Sequence, residues 1–284
     1  MLRYQEAFYL IKEKLTIVYD AEEAAAIAHQ LLEHVTGKNR MQRLVDKSEL
    51  IAAAEEAAVQ DALKRLLAGE PLQYVTGVQW FMGHPYEVNE HVLIPRPETE
   101  ELVLWIADDW KNRGGLRILD VGTGSGCIPI ALKQKLPNAT VLSIDVSEAA
   151  LRVAMRNREK AGVLVDFRVA DFLEEGNWPH LVSFDVVVSN PPYIPQNYRD
   201  TLHSNVRDYE PGLALFVPDD DPLLFYRKIA AFGKDHLTEG GAIYCELHAD
   251  HARATVEMFG EMGYEDVVLK KDIFGIDRMI CVRK

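Results

Sequence analysis

Residues 116–126 read LRILDVGTGSG, an apolar run of strand length that carries Asp120 near its end and then breaks into glycines at 122, 124 and 126. Alternating glycines after a strand let a ligand approach the backbone closely and let the chain turn at once into a helix, which we expect to open at Ser125. The same order recurs downstream. TVLSIDV (140–146) precedes a helix expected from Ser147, and VDFRVAD (165–171), FDVVVSN (184–190) and GAIYCEL (241–247) supply further strands, followed by two near 265–270 and 278–283. Near-continuous apolar strands alternating with helices predict an α/β fold built on a doubly wound, largely parallel sheet. In such sheets ligands bind beyond the carboxyl ends of the strands, so the residues to examine are those that end each strand.

Outward from this core the texture changes. Residues 1–72 are rich in Ala, Glu, Leu and Lys, with Phe8, Ile11 and Leu15 at helical spacing, and predict a small helical domain. Asp20 with Glu23 marks the start of a helix toward Thr36 and Gly37 its stop. Another helix is expected from about 48 to 68, ended by Gly69 and Pro71. The stretch QYVTGVQWFMGHPYEVNEHVLIP (73–95) is aromatic and β-branched with glycines at its bends, as in a linking β-hairpin, and 96–284 form the catalytic-type domain.

Composition narrows the function classes. With 48% hydrophobic and 26% charged residues the chain of 284 residues matches an ordinary globular protein. A formal net charge of -13 repels a phosphate backbone, so no nucleic-acid substrate is expected. Charges interrupt the first thirty residues, which predicts neither a signal peptide nor a membrane span, and a cytoplasmic location. Cys127, Cys245 and Cys281 lie far apart without a CxxC pair, so buried thiols are expected rather than disulfides or zinc. His248 and His251 around Asp250 form the one local histidine cluster, and no metal is expected there.

The strand ends carry specific chemistry. Cys127 stands where the dinucleotide fingerprint GxGxxG needs its last glycine, whereas DxGxGxG over Asp120, Gly122, Thr123, Gly124, Ser125 and Gly126 resembles the first motif of Rossmann-like methyltransferases. That likeness implies a loop embracing the amino-acid end of S-adenosylmethionine. Asp145, about twenty residues on, can accept hydrogen bonds from two ribose hydroxyls, while Ser147 offers the N-cap of the next helix. Asp171 is a candidate for the adenine amino group, and Phe172 either covers the ring or joins the core. Asn190, Pro191, Pro192 and Tyr193 follow the next strand. Prolines cannot extend a sheet but can frame a rigid site. A planar NH2 group presents two donors, which the Asn190 oxygen and a proline carbonyl can accept while Tyr193 packs on its flat face.

DxGxGxG and NPPY together resemble the amino-methyltransferases, which include adenine-N6 nucleic-acid enzymes and glutamine-N5 protein enzymes. Beyond them, GEPLQY (69–74), VLIPRPETE (92–100), NPPYI, and Tyr209, Glu210, Pro211, Ala214 and Leu215 make the chain similar to the HemK/PrmC family of release-factor glutamine methyltransferases over nearly its whole length. The resemblance implies a class I methyltransferase domain behind a substrate-docking helical domain. It also implies methyl transfer from S-adenosylmethionine to N5 of the glutamine in the GGQ motif of peptide-chain release factors, and a place near the substrate for Arg96 and Glu98. Read as residues alone, those two are an exposed ion pair. A sister family that methylates a ribosomal protein typically reads PRSP where this chain has Pro95, Arg96, Pro97 and Glu98. Phe172 departs from a frequent tryptophan and Ser125 from a common threonine. The alternatives are the ribosomal-protein and adenine-N6 activities, and a binding protein that has kept the fold without the chemistry. The segment 194–221, with Tyr198, Arg207, Tyr209 and Glu210, is expected to be loop-like and to help dock the protein substrate.

Overall fold

The computed structural model describes residues 1–284, which divide into two compact units: 1–78 with 203–209, and 79–202 with 210–284. No helix is long and apolar enough to cross a membrane.

In the first unit, helices Tyr4–Leu15, Ala21–Thr36 and Ala53–Leu67 pack through Ala7, Ile11, Leu15, Ala28, Leu31, Leu32, Leu63 and Leu66. Asp20 caps the second helix by accepting from the backbone N–H of Glu22 and Glu23, and Gly37, with φ of 65°, closes it. The helix expected from 48 begins only at Ala53. Tertiary pairing takes precedence over helix propensity there: Leu50 bridges Arg3, and the Ile51 N–H donates to the Leu2 carbonyl. An additional short helix, Arg40–Val45, opens on Asn39 through a reciprocal cap with Gln42. Leu72–Thr76 is a helical turn rather than part of a strand, because Leu72 and Tyr74 are buried and Gly77 stops the turn. The hairpin is therefore shorter than its sequence suggests. It pairs Val78–Phe81 with His84–Glu87 across Met82 and Gly83, both at positive φ (52° and 78°), as a tight two-residue turn requires.

The second unit contains a seven-stranded sheet. We number its strands β1 (Arg117–Val121), β2 (Thr140–Asp145), β3 (Asp166–Val169), β4 (Phe184–Ser189), β5 (Leu237–Glu246), β6 (Asp266–Lys271) and β7 (Asp277–Arg283). Their order is β6-β7-β5-β4-β1-β2-β3, with β7 antiparallel to both of its neighbours and β1 to β5 parallel. Alternate residues feed two cores. Ile118, Val141, Val186, Ala242 and Cys281 face helices Pro97–Trp110 and Cys127–Lys135. Leu119, Leu142, Val187, Ile243 and Ile280 face Leu224–His236 and Ala252–Glu261. The doubly wound, largely parallel α/β sheet expected from the sequence is thus the one observed. Register aligns Ile144, Val121, Ser189 and Cys245 across neighbouring strands, so the next residue of each strand reaches a common edge.

Candidate active site

At that edge Gly122, Gly124 and Gly126 all hold positive φ (85°, 52° and 81°), a conformation that L side chains rarely adopt. They serve different ends. A Cβ on Gly122 or Gly124 would meet nothing within 4 Å, so their backbone faces open space, whereas one on Gly126 would lie 3.0 Å from the Ala154 Cβ and 3.1 Å from the Ile130 Cδ1. The third glycine is there for helix packing. Below the loop, Asp120 is fully buried and its Oδ2 accepts from the Ser143 hydroxyl at 2.6 Å, while Ser143 Oγ lies 2.5 Å from Thr123 Oγ1. Burial pushes the Asp120 carboxyl up to about 7; the Ser143 hydrogen bond opposes this and the Asp145 charge adds to it. Asp145 accepts from the Gly124 N–H through Oδ2 and from the Ser147 N–H through Oδ1, while Ser147 itself caps the following helix. Burial also raises the Asp145 pKa, against these backbone hydrogen bonds. Asn157 braces the loop from outside, its Nδ2 donating to the carbonyls of Ser125 and Glu87.

Asn190 directly follows β4 and donates from Nδ2 to Thr99 Oγ1 at 3.3 Å. Thr99 donates in turn to Glu246 Oε2 at 2.7 Å, and the Tyr193 hydroxyl donates to Glu246 Oε1 at 3.2 Å. Glu246, at the end of β5, is 1% exposed; burial raises its pKa, opposed by the bonds from Thr99 and Tyr193 and by the Arg278 charge. Arg96 pairs with Glu210, whose other oxygen accepts from the Ile94 N–H at 3.1 Å. This fixes the Ile94–Arg96 backbone beside a cavity of ≈ 330 Å³ lined by Gly122, Gly124, Asp145, Asp171, Asn190, Pro191, Pro192, Thr99 and Arg96 among others. The cavity joins acceptors suited to a diol and a planar amine with apolar walls from Val92, Leu93, Ile128 and Phe225.

Two family models match the chain: the PrmC N-terminal domain over residues 14–77 and the methyltransferase small domain over 105–206. Release factor glutamine methyltransferase of Bacteroides thetaiotaomicron is 38% identical over 96% of this chain and 98% of its own length. The protein of the same name from Chlorobaculum tepidum is 40% identical over 93% of each. The chain belongs to the release factor glutamine methyltransferase family. Solved structures share its fold at low identity. A methyltransferase from Pyrococcus furiosus has a TM-score of 0.51 at 19% identity, covering 79% of this chain and 98% of its own. The hMettl16 catalytic domain, solved with an RNA hairpin, scores 0.55 at 16%, covering 80% and 81%.

For a member of this family, the structure gathers most residues that the sequence singled out but assigns several of them another position. Gly122, Thr123, Gly124, Ser125, Asp145, Asp171, Asn190, Pro191 and Pro192 line the cavity. Asp120 does not: strand alternation turns its side chain into the sheet, and it reaches the loop through Ser143 and Thr123. Gly126 packs behind the loop, and Tyr193 points to Glu246. Phe172 does both things expected of it: it lines the cavity beside Asp171, and its ring packs in the core, 5.4 Å from Phe232 and 5.5 Å from Trp178 between centroids. Arg96 and Glu98 are not the exposed pair their spacing suggests, since Arg96 pairs with the buried Glu210 and Glu98 lies outside the cavity lining. Glu210 is correspondingly removed from any docking surface. The segment 194–221 is not a loop but a set of short helical turns, Gln196–Thr201, Ser204–Tyr209 and Gly212–Leu215, closed where Ile194–Pro195 pairs with Phe216–Val217. Tyr209 within it donates to the Ala68 carbonyl. Thr99 and Glu246 were missed, although both left signals. Thr99 lies on the periodic buried face with Leu102, Val103 and Ile106, and Glu246 is a lone acid ending an apolar strand.

Proposed function

We propose that this chain transfers a methyl group from S-adenosylmethionine to the side-chain amide nitrogen of the glutamine in the GGQ motif of peptide-chain release factors. The observation that carries this reading is the Asn190 amide: with Nδ2 committed to Thr99, Oδ1 is left to accept from a planar NH2 group entering the cavity. S-adenosylmethionine supplies a methyl group on a cationic sulfur. The fit of its other parts is supported by the open backbone at Gly122 and Gly124 and by Asp145, whose oxygens each keep a lone pair for a ribose hydroxyl. Asp171, on the same edge, is suited to an exocyclic amine. The Asn190 oxygen and a proline carbonyl orient the target nitrogen, so positioning supplies most of the catalysis.

The helical domain, 1–72, is assigned to docking the protein substrate, which its exposed Met41, Leu44 and Val45 support. Arg96 shapes the substrate side of the cavity through Glu210, and the proposed substrate implies action in the cytoplasm. Labelled S-adenosylmethionine offered with a release factor, a large-subunit ribosomal protein and duplex DNA in parallel tests the reading. Label in the release factor is expected; preferential label in either competitor would overturn it.

A further inference from the structure

Asn190, Thr99 and Glu246 come from three distant parts of the second unit, with 91 residues between the first pair and 147 between the second, yet form one hydrogen-bonded chain. The direction of that chain is dictated by proton count. With Glu246 ionised, Oε2 is able only to accept, and the Thr99 hydroxyl donates to it. The single Thr99 hydroxyl proton is therefore spent on Glu246, and Thr99 has only lone pairs to offer Asn190. Only the NH2 end of the Asn190 amide can face a lone pair, so Oδ1 must face away from Thr99 and toward the cavity. Reversed, the amide would present N–H donors to a substrate NH2 group and no acceptor at all.

We infer that Glu246 and Thr99 are positioning residues, which fix the end of the Asn190 amide that faces the substrate, while Glu246 uses its second oxygen to hold Tyr193. The inference rests on the proposed amide-methylating function, but its structural half can be read without any substrate. It also gives the VLIPRPETE segment a working residue, Thr99, in place of the charged pair beside it.

Thr99→Val keeps the branched shape and removes the hydroxyl. Its kcat for a release factor should fall roughly tenfold to a hundredfold, the usual scale for a lost buried hydrogen-bond partner. KM for the release factor should change far less than kcat, because most of its binding lies remote from Asn190, and affinity for S-adenosylhomocysteine should stay within about twofold, because the hydrogen bonds Thr99 makes go to Asn190 and Glu246 and not to the glycine loop or Asp145. Thr99→Ser should restore turnover to within a few-fold, and Glu246→Gln, which can offer Thr99 either oxygen or nitrogen, should fall between. The deciding readout is a double-mutant cycle, since a residue that acts only through Asn190 has no further effect in an Asn190→Ala background. A purely structural Thr99 would lower kcat by the same factor in both backgrounds, and that result, or a folded Thr99→Val enzyme with normal kcat, overturns the inference. In protein labelled with 15N-asparagine, the Asn190 side-chain amide protons should exchange slowly in the wild type and in Thr99→Ser, and quickly in Thr99→Val. If the wild type leaves release factors unmethylated, the function reading fails and the exchange rates alone decide the positioning: unchanged protection in Thr99→Val rejects it.

Discussion

Asp145 joins two kinds of work in one carboxylate, holding the glycine loop through Gly124 and the next helix through Ser147 while facing the cavity. Asp145→Ala should therefore cost roughly 1–3 kcal/mol in affinity for S-adenosylhomocysteine, measured by calorimetric titration, and unchanged affinity in a folded variant would remove it from the ribose site. Asp120 acts from beneath. Its folded pKa, about 7, stands above the ordinary 3.8, so the folded state binds the proton more tightly than the unfolded chain. The stability this confers is complete below the unfolded value and is lost as pH rises through about 4 to 7. Asp120→Asn has no such proton to lose. Its melting temperature relative to wild type, measured without ligand, should thus rise between pH 5 and pH 8, whereas a difference independent of pH would contradict the burial-driven shift. Asp145 and Asn190 were legible in the sequence because one ends a strand and the other directly follows one. Glu246 ends a strand as well, but its partner Thr99 is 147 residues away, and only tertiary structure makes the two a pair.

Among the elements, the strand-loop-helix unit from β1 to Cys127–Lys135 shows how similar residues can answer different needs. Gly126→Ala forces a side chain into positive φ and against Ala154 and Ile130, which together should destabilise the fold by roughly 2–4 kcal/mol. Gly124→Ala meets open space, so it should cost only about 1–2 kcal/mol from the backbone but weaken S-adenosylhomocysteine binding by obstructing close approach. Thermal melts and calorimetry on the two variants separate these effects; equal affinity losses with equal stability losses would show that the glycines share one role. Strand positions were read well because both faces of a parallel sheet are covered and leave continuous apolar runs. The start of the helix at Ala53 was not, since nothing local in 48–52 reveals that the backbone there pairs with residues 2 and 3. Residues 194–221 misled for a related reason: prolines, glycine and polar residues read as loop, while their short turns are held by the Ile194–Pro195 pairing and by the Asp219 carboxylate accepting from the Asn197 N–H.

For the whole molecule, a formal charge of -13, which repels a phosphate backbone, favours a protein amide over a base in a nucleic acid. Discrimination must then come from delivery, because the cavity's acceptors suit any planar amine. Glycines flanking the target glutamine would let its backbone enter a narrow opening, and contacts remote from it would supply energy for orientation. An intact release factor should thus be a far better substrate than a short GGQ peptide. An asparagine in place of the glutamine would withdraw the amide by about one methylene, more than the ~1 Å misplacement that already costs about a hundredfold in rate. The most direct measurement is peptide mass spectrometry of an intact release factor and its Gln→Asn variant after incubation with the enzyme and S-adenosylmethionine. The expected result is a single added methyl group on the GGQ glutamine and none on the variant; methylation of the asparagine at a comparable rate, or at any site outside GGQ, would contradict it.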